Sequence, residues 1–194
     1  MKQLIRTATL LLVLCGSALA VENPDAEHSV LREKLNFIEA ALNDKAFERI
    51  LPLLDENVVI IFLNGEVARG VDQVRAYFEK TLGSSNPILS DYHTKAEVGA
   101  PARFAGDIAL ADGSTQDTFV FANGSDMVVH SKWTVTLQKQ GNDWKILQLH
   151  FSSNIFDNPL VNSARNNLVM FTVAAAVGGL IIGLLIGRRR KRNA

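Results

Sequence analysis

The sequence predicts an α+β domain, helices packed on one face of a curved antiparallel sheet, followed by one membrane-spanning helix. Three observations carry this expectation. The first eighty residues contain segments with apolar side chains at helical spacing. From about residue 91 onward the chain turns into β-rich segments separated by Asn-Gly and Gly-Asn turns. Near the end, Leu168 to Gly187 is a run of twenty residues without a charge, followed directly by Arg188, Arg189, Arg190, Lys191 and Arg192.

Taken in order, residues 1–20 have the three-part pattern of a secretory signal peptide. Lys2 and Arg6 supply the positive end, Leu10 to Leu14 the apolar run, and Ala18-Leu19-Ala20 the small-residue cleavage site. A retained signal anchor is the alternative, but the apolar run is shorter than the roughly 20 residues a bilayer requires. Cys15 is the only cysteine, so a chain cleaved after Ala20 carries neither disulfide nor reactive thiol.

Asn23 to Asn43 reads as a helix, because Leu31, Leu35, Ile38 and Leu42 form one stripe. Asp44 is the expected cap of a short second helix that stops at Pro52. Val58 to Leu63 is β-branched and apolar, and Asn64-Gly65 after it is a hairpin turn leading into Glu66-Val67-Ala68. Val71 to Leu82 is a third helix, ended by Gly83. Strands are then expected over Asp91–Val98, Ile108–Ala111, Thr115–Phe121, Met127–Lys139 and Trp144–Ser152. Alternation puts Val129, Ser131, Trp133, Val135 and Leu137 on one face and His130, Lys132, Thr134 and Thr136 on the other. Residues 158–167 read as a polar linker between a domain at 21–157 and the apolar helix at 168–187.

Twenty helical residues rise about 30 Å, the thickness of a bilayer's hydrocarbon core. A terminal cation cluster stays on the cytoplasmic side, which leaves the domain outside and residues 188–194 as a cytoplasmic tail. A bacterial sorting tail is an alternative, but its recognition motif is missing at Asn166-Asn167. All 20 acidic residues but only 13 of the 20 basic ones lie in residues 21–167, so that segment carries a net charge of −7. Such a balance argues against nucleic acid as a partner. Ala175, Gly179, Gly183 and Gly187 recur every four residues, a small-residue stripe that permits close packing of two membrane helices.

Two stretches carry a family resemblance: Asp55 to Lys80, with its strand, Asn-Gly turn and helix, and Lys132 to Leu137 continuing through Gly141 to Trp144-Lys145-Ile146 and His150-Phe151-Ser152. Over roughly Glu27 to Phe156 the chain resembles the nuclear transport factor 2-like superfamily, in its SnoaL-like and ketosteroid-isomerase-like branch. The resemblance implies a cone-shaped cavity between helices and sheet. It leaves function open, since such cones serve isomerases and dehydratases as well as binding and assembly domains. It also implies a homodimer through the outer face of the sheet. Ketosteroid isomerases use an Asp on the first hairpin, a Tyr on an N-terminal helix and a protonated Asp on a late strand. Val58 to Leu63 has no acid, Ala26 to Leu51 no tyrosine, and Met127 to Lys139 no acid.

What chemistry remains rests on scattered residues. His93, His130 and His150 come from three different strands, and convergence would make them acid–base groups. His150 has an equally simple structural role at a strand end. No close histidine pair suggests a metal, and no phosphate loop or dinucleotide fingerprint suggests a cofactor. The candidates for catalysis are His130, His150, Tyr92 and Lys132. The residues expected to line the pocket are Trp133, His93, Phe78 and Phe62. The expectation is therefore an inner-membrane, single-pass protein whose periplasmic domain binds a small apolar ligand or assembles with partners. An isomerase- or dehydratase-type enzyme is the alternative.

Overall fold

The computed structural model describes residues 24–156 and 158–192. The expected signal peptide lies outside them. The chain runs α1 (Pro24–Asn43), β1 (Leu54–Ile61), β2 (Val67–Arg69), α2 (Val71–Phe78), β3 (Leu89–Val98), β4 (Arg103–Ala105), β5 (Ile108–Phe121), β6 (Asp126–Gln140), β7 (Asp143–Ser153) and α3 (Pro159–Arg192). The strands form one sheet in the order β2-β1-β7-β6-β5-β3, with β4 paired to β5. The fold is thus a mixed α+β domain with an open curved sheet, N-terminal helices and one apolar C-terminal helix.

Several boundaries differ from the sequence expectation, each for a local reason. The short second helix is instead two 3-10 turns, Phe47–Arg49 and Leu51–Leu53. Asp44 does not cap them; Lys45 adopts a left-handed φ of 56° as the chain leaves α1. The third helix widens after Phe78 into a π-turn, Glu79–Gly83. The segments expected separately at 108–111 and 115–121 are one 14-residue strand, because Gly113 is not a turn. It pairs directly opposite Trp133, and its missing side chain makes room for the indole. β4 was not anticipated. The pairing of β1 with β7 is parallel, whereas the others are antiparallel.

Residues 159–167, expected as a linker, are helical and continuous with the apolar stretch in α3. Within α3, Val161–Ile182 is long and apolar enough to cross a membrane. The stripe Ala175, Gly179, Gly183 and Gly187 falls inside this helix.

The core gathers Ile50, Leu54, Val58, Ile60, Val74 and Ile146 around Trp144, which is 1% exposed. Phe62 is buried here and stacks on Tyr77, with ring centroids 3.5 Å apart, while Phe78 stacks on Phe47 at 4.5 Å. This aromatic cluster fixes α2 against the β1–β2 hairpin.

α1 lies across the other half of the sheet, with Ala41 in the core and Leu31, Ile38 and Leu42 packed against it, and polar contacts fasten it further. The Asn43 amide brackets Thr94, donating to its carbonyl at 2.9 Å and accepting from its N–H at 2.8 Å. Ala96 N–H donates to Glu39 at 2.7 Å. These bonds satisfy backbone groups on the free side of β3, an edge strand that would otherwise present open pairing sites. Toward the helix N-terminus, Glu27 accepts from Lys139 and from the Trp144 indole, and Lys34 pairs with Asp143. The Lys139 and Trp144 hydrogen bonds hold the Glu27 carboxyl below its ordinary range. With both ends of α1 fastened, its apolar stripe stands over the sheet without filling the space beneath.

Candidate functional site

That space is a cavity of about 450 Å³ between α1 and the concave face of β3, β5, β6 and β7. The helix contributes Leu31, Leu35, Ile38 and Leu42, the stripe visible in the sequence. The sheet contributes Trp133, Val135 and Leu137 from β6, Ile146, Leu149 and Phe151 from β7, and Ala111 and Thr115 from β5. Asp25, Ser29, Arg32, Val98 and Pro101 are exposed and form the mouth. The wall is overwhelmingly apolar, as small-molecule sites are.

Polar groups concentrate at one place on the floor. Asp117, on β5, is 3% exposed and accepts four hydrogen bonds. Its Oδ1 receives Tyr92 Oη at 2.8 Å and Thr94 Oγ1 at 2.7 Å, and its Oδ2 receives Thr115 Oγ1 at 2.6 Å and Ser131 Oγ at 2.5 Å. Thr115 Oγ1 and Ser131 Oγ are also 2.7 Å apart. Among the described residues no cation takes part, and the hydroxyls compensate the burial of this carboxyl. Tyr92, Thr94 and Thr115 line the cavity, whereas Asp117 and Ser131 sit behind them. Burial, reinforced by Asp117, holds the Tyr92 phenol well above its ordinary pKa, so it remains a protonated donor.

Strand parity places the sequence candidates. Tyr92 and Trp133 point into the cavity. Trp133 is pinned by its indole N–H, which donates to Ser114 O at 3.2 Å. His93 neighbours Tyr92 on the same strand, so its side chain faces the opposite way and is exposed on the outer face rather than lining the pocket. His130 and Lys132 flank Ser131, and His150 lies between Leu149 and Phe151; all three are exposed on that outer face as well. The register sets His93 opposite Thr118, His130 opposite Gln116 and His150 opposite Thr134, so the imidazoles are spread over different rows. Among the described residues no group of three or more His, Cys, Asp or Glu is placed to hold a metal. Phe62 and Phe78, also expected in the pocket, belong to the aromatic cluster on the far side of the core.

Asp117 was not singled out from the sequence. The available signal was weak: Thr115 and Asp117 share a strand face, and Ser131 interrupts the apolar inward row of β6. Only the pairing of Thr115 with Ser131 shows that these polar residues meet.

A helix laid over the concave face of a curved sheet, enclosing an apolar cavity, defines a cone-type domain of the nuclear transport factor 2 kind. The chain belongs to the SnoaL-like domain family, whose model matches residues 34–156. No curated protein matches the chain. Among solved structures it is similar to a nuclear transport factor 2-like superfamily protein from Salmonella enterica serovar Typhimurium, with 20% identity and a TM-score of 0.57 over 68% of this chain and 93% of that one. It is similar to a hexachlorocyclohexane dehydrochlorinase from Novosphingobium barchaimii LL02, with 10% identity and a TM-score of 0.58 over 66% and 87% of the two chains. It is also similar to the CaMKII hub of S. rosetta, with 18% identity and a TM-score of 0.53 over 65% and 95%. At these identities the likeness is one of fold, and an enzyme and a hub domain share it.

Proposed function

We propose that the chain is a membrane-tethered, extracytoplasmic module that binds a small apolar molecule in its cavity without transforming it. The observation carrying this reading is the cavity itself: about 450 Å³ enclosed by aliphatic and aromatic side chains, with its floor hydroxyls engaged on a buried carboxyl. The tether is supported by the apolar length of α3 and by the cations at its end. Cleavage after Ala20, a periplasmic domain and a cytoplasmic tail belong to the same proposal.

Trp133 lines the cavity and Trp144 does not, which supplies the test. Titrating apolar ligands of one to three rings into the full chain in lipid nanodiscs is expected to change tryptophan emission saturably. The change is expected to disappear in Trp133→Phe. Ligand recovered unchanged after prolonged incubation agrees with binding alone. Conversion to a product would instead establish the second reading, a dehydratase- or isomerase-type enzyme, which the likeness to a dehydrochlorinase favours. That chemistry would need a base at the cavity surface: His130, His150 and Lys132 face away from it, and among the groups left to serve are His28, hydrogen-bonded to Ala102 O, and Glu39, which accepts from Ala96 N–H.

Self-association is part of the same proposal. The outer sheet face is polar and exposed, and the small-residue stripe runs along α3. Light scattering on the detergent-solubilised chain is expected to give a dimer, and Gly179→Leu to shift it toward monomer. A monomer at all concentrations would remove this part.

A further inference from the structure

The floor of the cavity is defined by where its protons point. Tyr92, Thr94, Thr115 and Ser131 each own one hydroxyl hydrogen. The cluster contains five close oxygen–oxygen contacts, four to Asp117 and one between Thr115 and Ser131. Four hydrogens serve five contacts, so none remains to be directed elsewhere. The Trp133 N–H is likewise committed, to Ser114 O. What the side chains of the floor can still offer is oxygen lone pairs, on Thr94 and Thr115 above all, since both line the cavity. The other side-chain donors of the lining lie away from this floor: Ser29 and Arg32 are exposed at the mouth, His28 is bonded to Ala102 O and Lys34 to Asp143.

We infer that the cavity selects apolar molecules carrying a hydrogen-bond donor, such as an alcohol, phenol or amine, and discriminates against ketones and esters of the same shape. A donor group reaching the floor finds an acceptor. A carbonyl there meets only other acceptors, and both partners lose their water without compensation. The arrangement is the reverse of an oxyanion hole, whose donors point at a substrate oxygen. The inference rests on the binding reading above and names the ligand class for that same site.

The experiment compares matched alcohol and ketone pairs of one carbon skeleton: cyclododecanol with cyclododecanone, 2-adamantanol with 2-adamantanone, and borneol with camphor. Dissociation constants are measured by tryptophan emission on the full chain in nanodiscs and corrected for partition into empty nanodiscs. The alcohols are expected to bind about tenfold more tightly than their ketones. Thr115→Val, which removes one acceptor, is expected to weaken the alcohols while leaving the ketones unchanged. Asp117→Asn, which replaces an acceptor oxygen by an NH2 group and frees hydroxyl hydrogens, is expected to shrink or invert the preference. Equal or tighter binding of the ketones to the wild-type chain overturns this inference alone. Failure of every pair to bind overturns the binding reading and this inference with it.

Discussion

Gly113→Ala is expected to destabilise the domain by about 3 kcal/mol and to narrow its cavity. A Cβ at this position would lie 2.0 Å from Glu97 O on β3 and 2.4 Å from Cζ2 of Trp133. Neither neighbour gives way cheaply. The first is backbone of a strand paired across this row, and the second is a buried indole held by its N–H. Relief comes only by separating β3 from β5 or by driving the indole toward the void beneath α1. Urea unfolding of the chain, followed by tryptophan emission, measures the loss. Gly99→Ala is the matched control. Its nearest contact is 2.6 Å from Asp112 Oδ2, the far end of a flexible side chain that can swing aside. Similar losses at the two positions would contradict the account of Gly113.

Asp117→Ala is the second large effect, again about 3 kcal/mol. Removing the carboxyl strips four hydroxyls of their common acceptor, and Thr94, Thr115 and Ser131 are buried. Thr115 and Ser131 can still pair with each other, which caps the loss. Because one carboxyl organises all four, the energetics are non-additive. In a double-mutant cycle, Ser131→Ala should cost clearly less in the Asp117→Ala background than in the wild type, with a coupling of about 1 kcal/mol. Additivity within error would mean that the oxygens act independently.

The parts of the fold legible in the sequence are those specified by local patterns. The stripe of α1 announced both the helix and the face that roofs the cavity. The Asn64-Gly65 turn and the alternation along β6 likewise located a hairpin and an inward row. The break between Ile108–Ala111 and Thr115–Phe121 is not legible as continuous strand, because a glycine in a strand looks like a turn unless its cross-strand neighbour is known. The parallel pairing of β1 with β7 joins distant segments and leaves no local trace. At the site, Tyr92 and Trp133 were legible as individual residues. Parity alone already set His130 and Lys132 opposite to Trp133, and the same argument, applied to Tyr92-His93 and Leu149-His150, separates the other two histidines from the cavity. Asp117 stayed hidden because its four partners come from three strands, two of them more than a dozen residues away in either direction.

The position of β7 also governs how the domain bears mechanical load. Tension along α3 enters the sheet at the C-terminal end of this strand, which lies between β1 and β6 and not at an edge. Pulling the strand lengthwise loads its hydrogen bonds to both neighbours together, in shear, instead of peeling them apart one by one. The strand that takes the strain is thereby one with rungs on both sides.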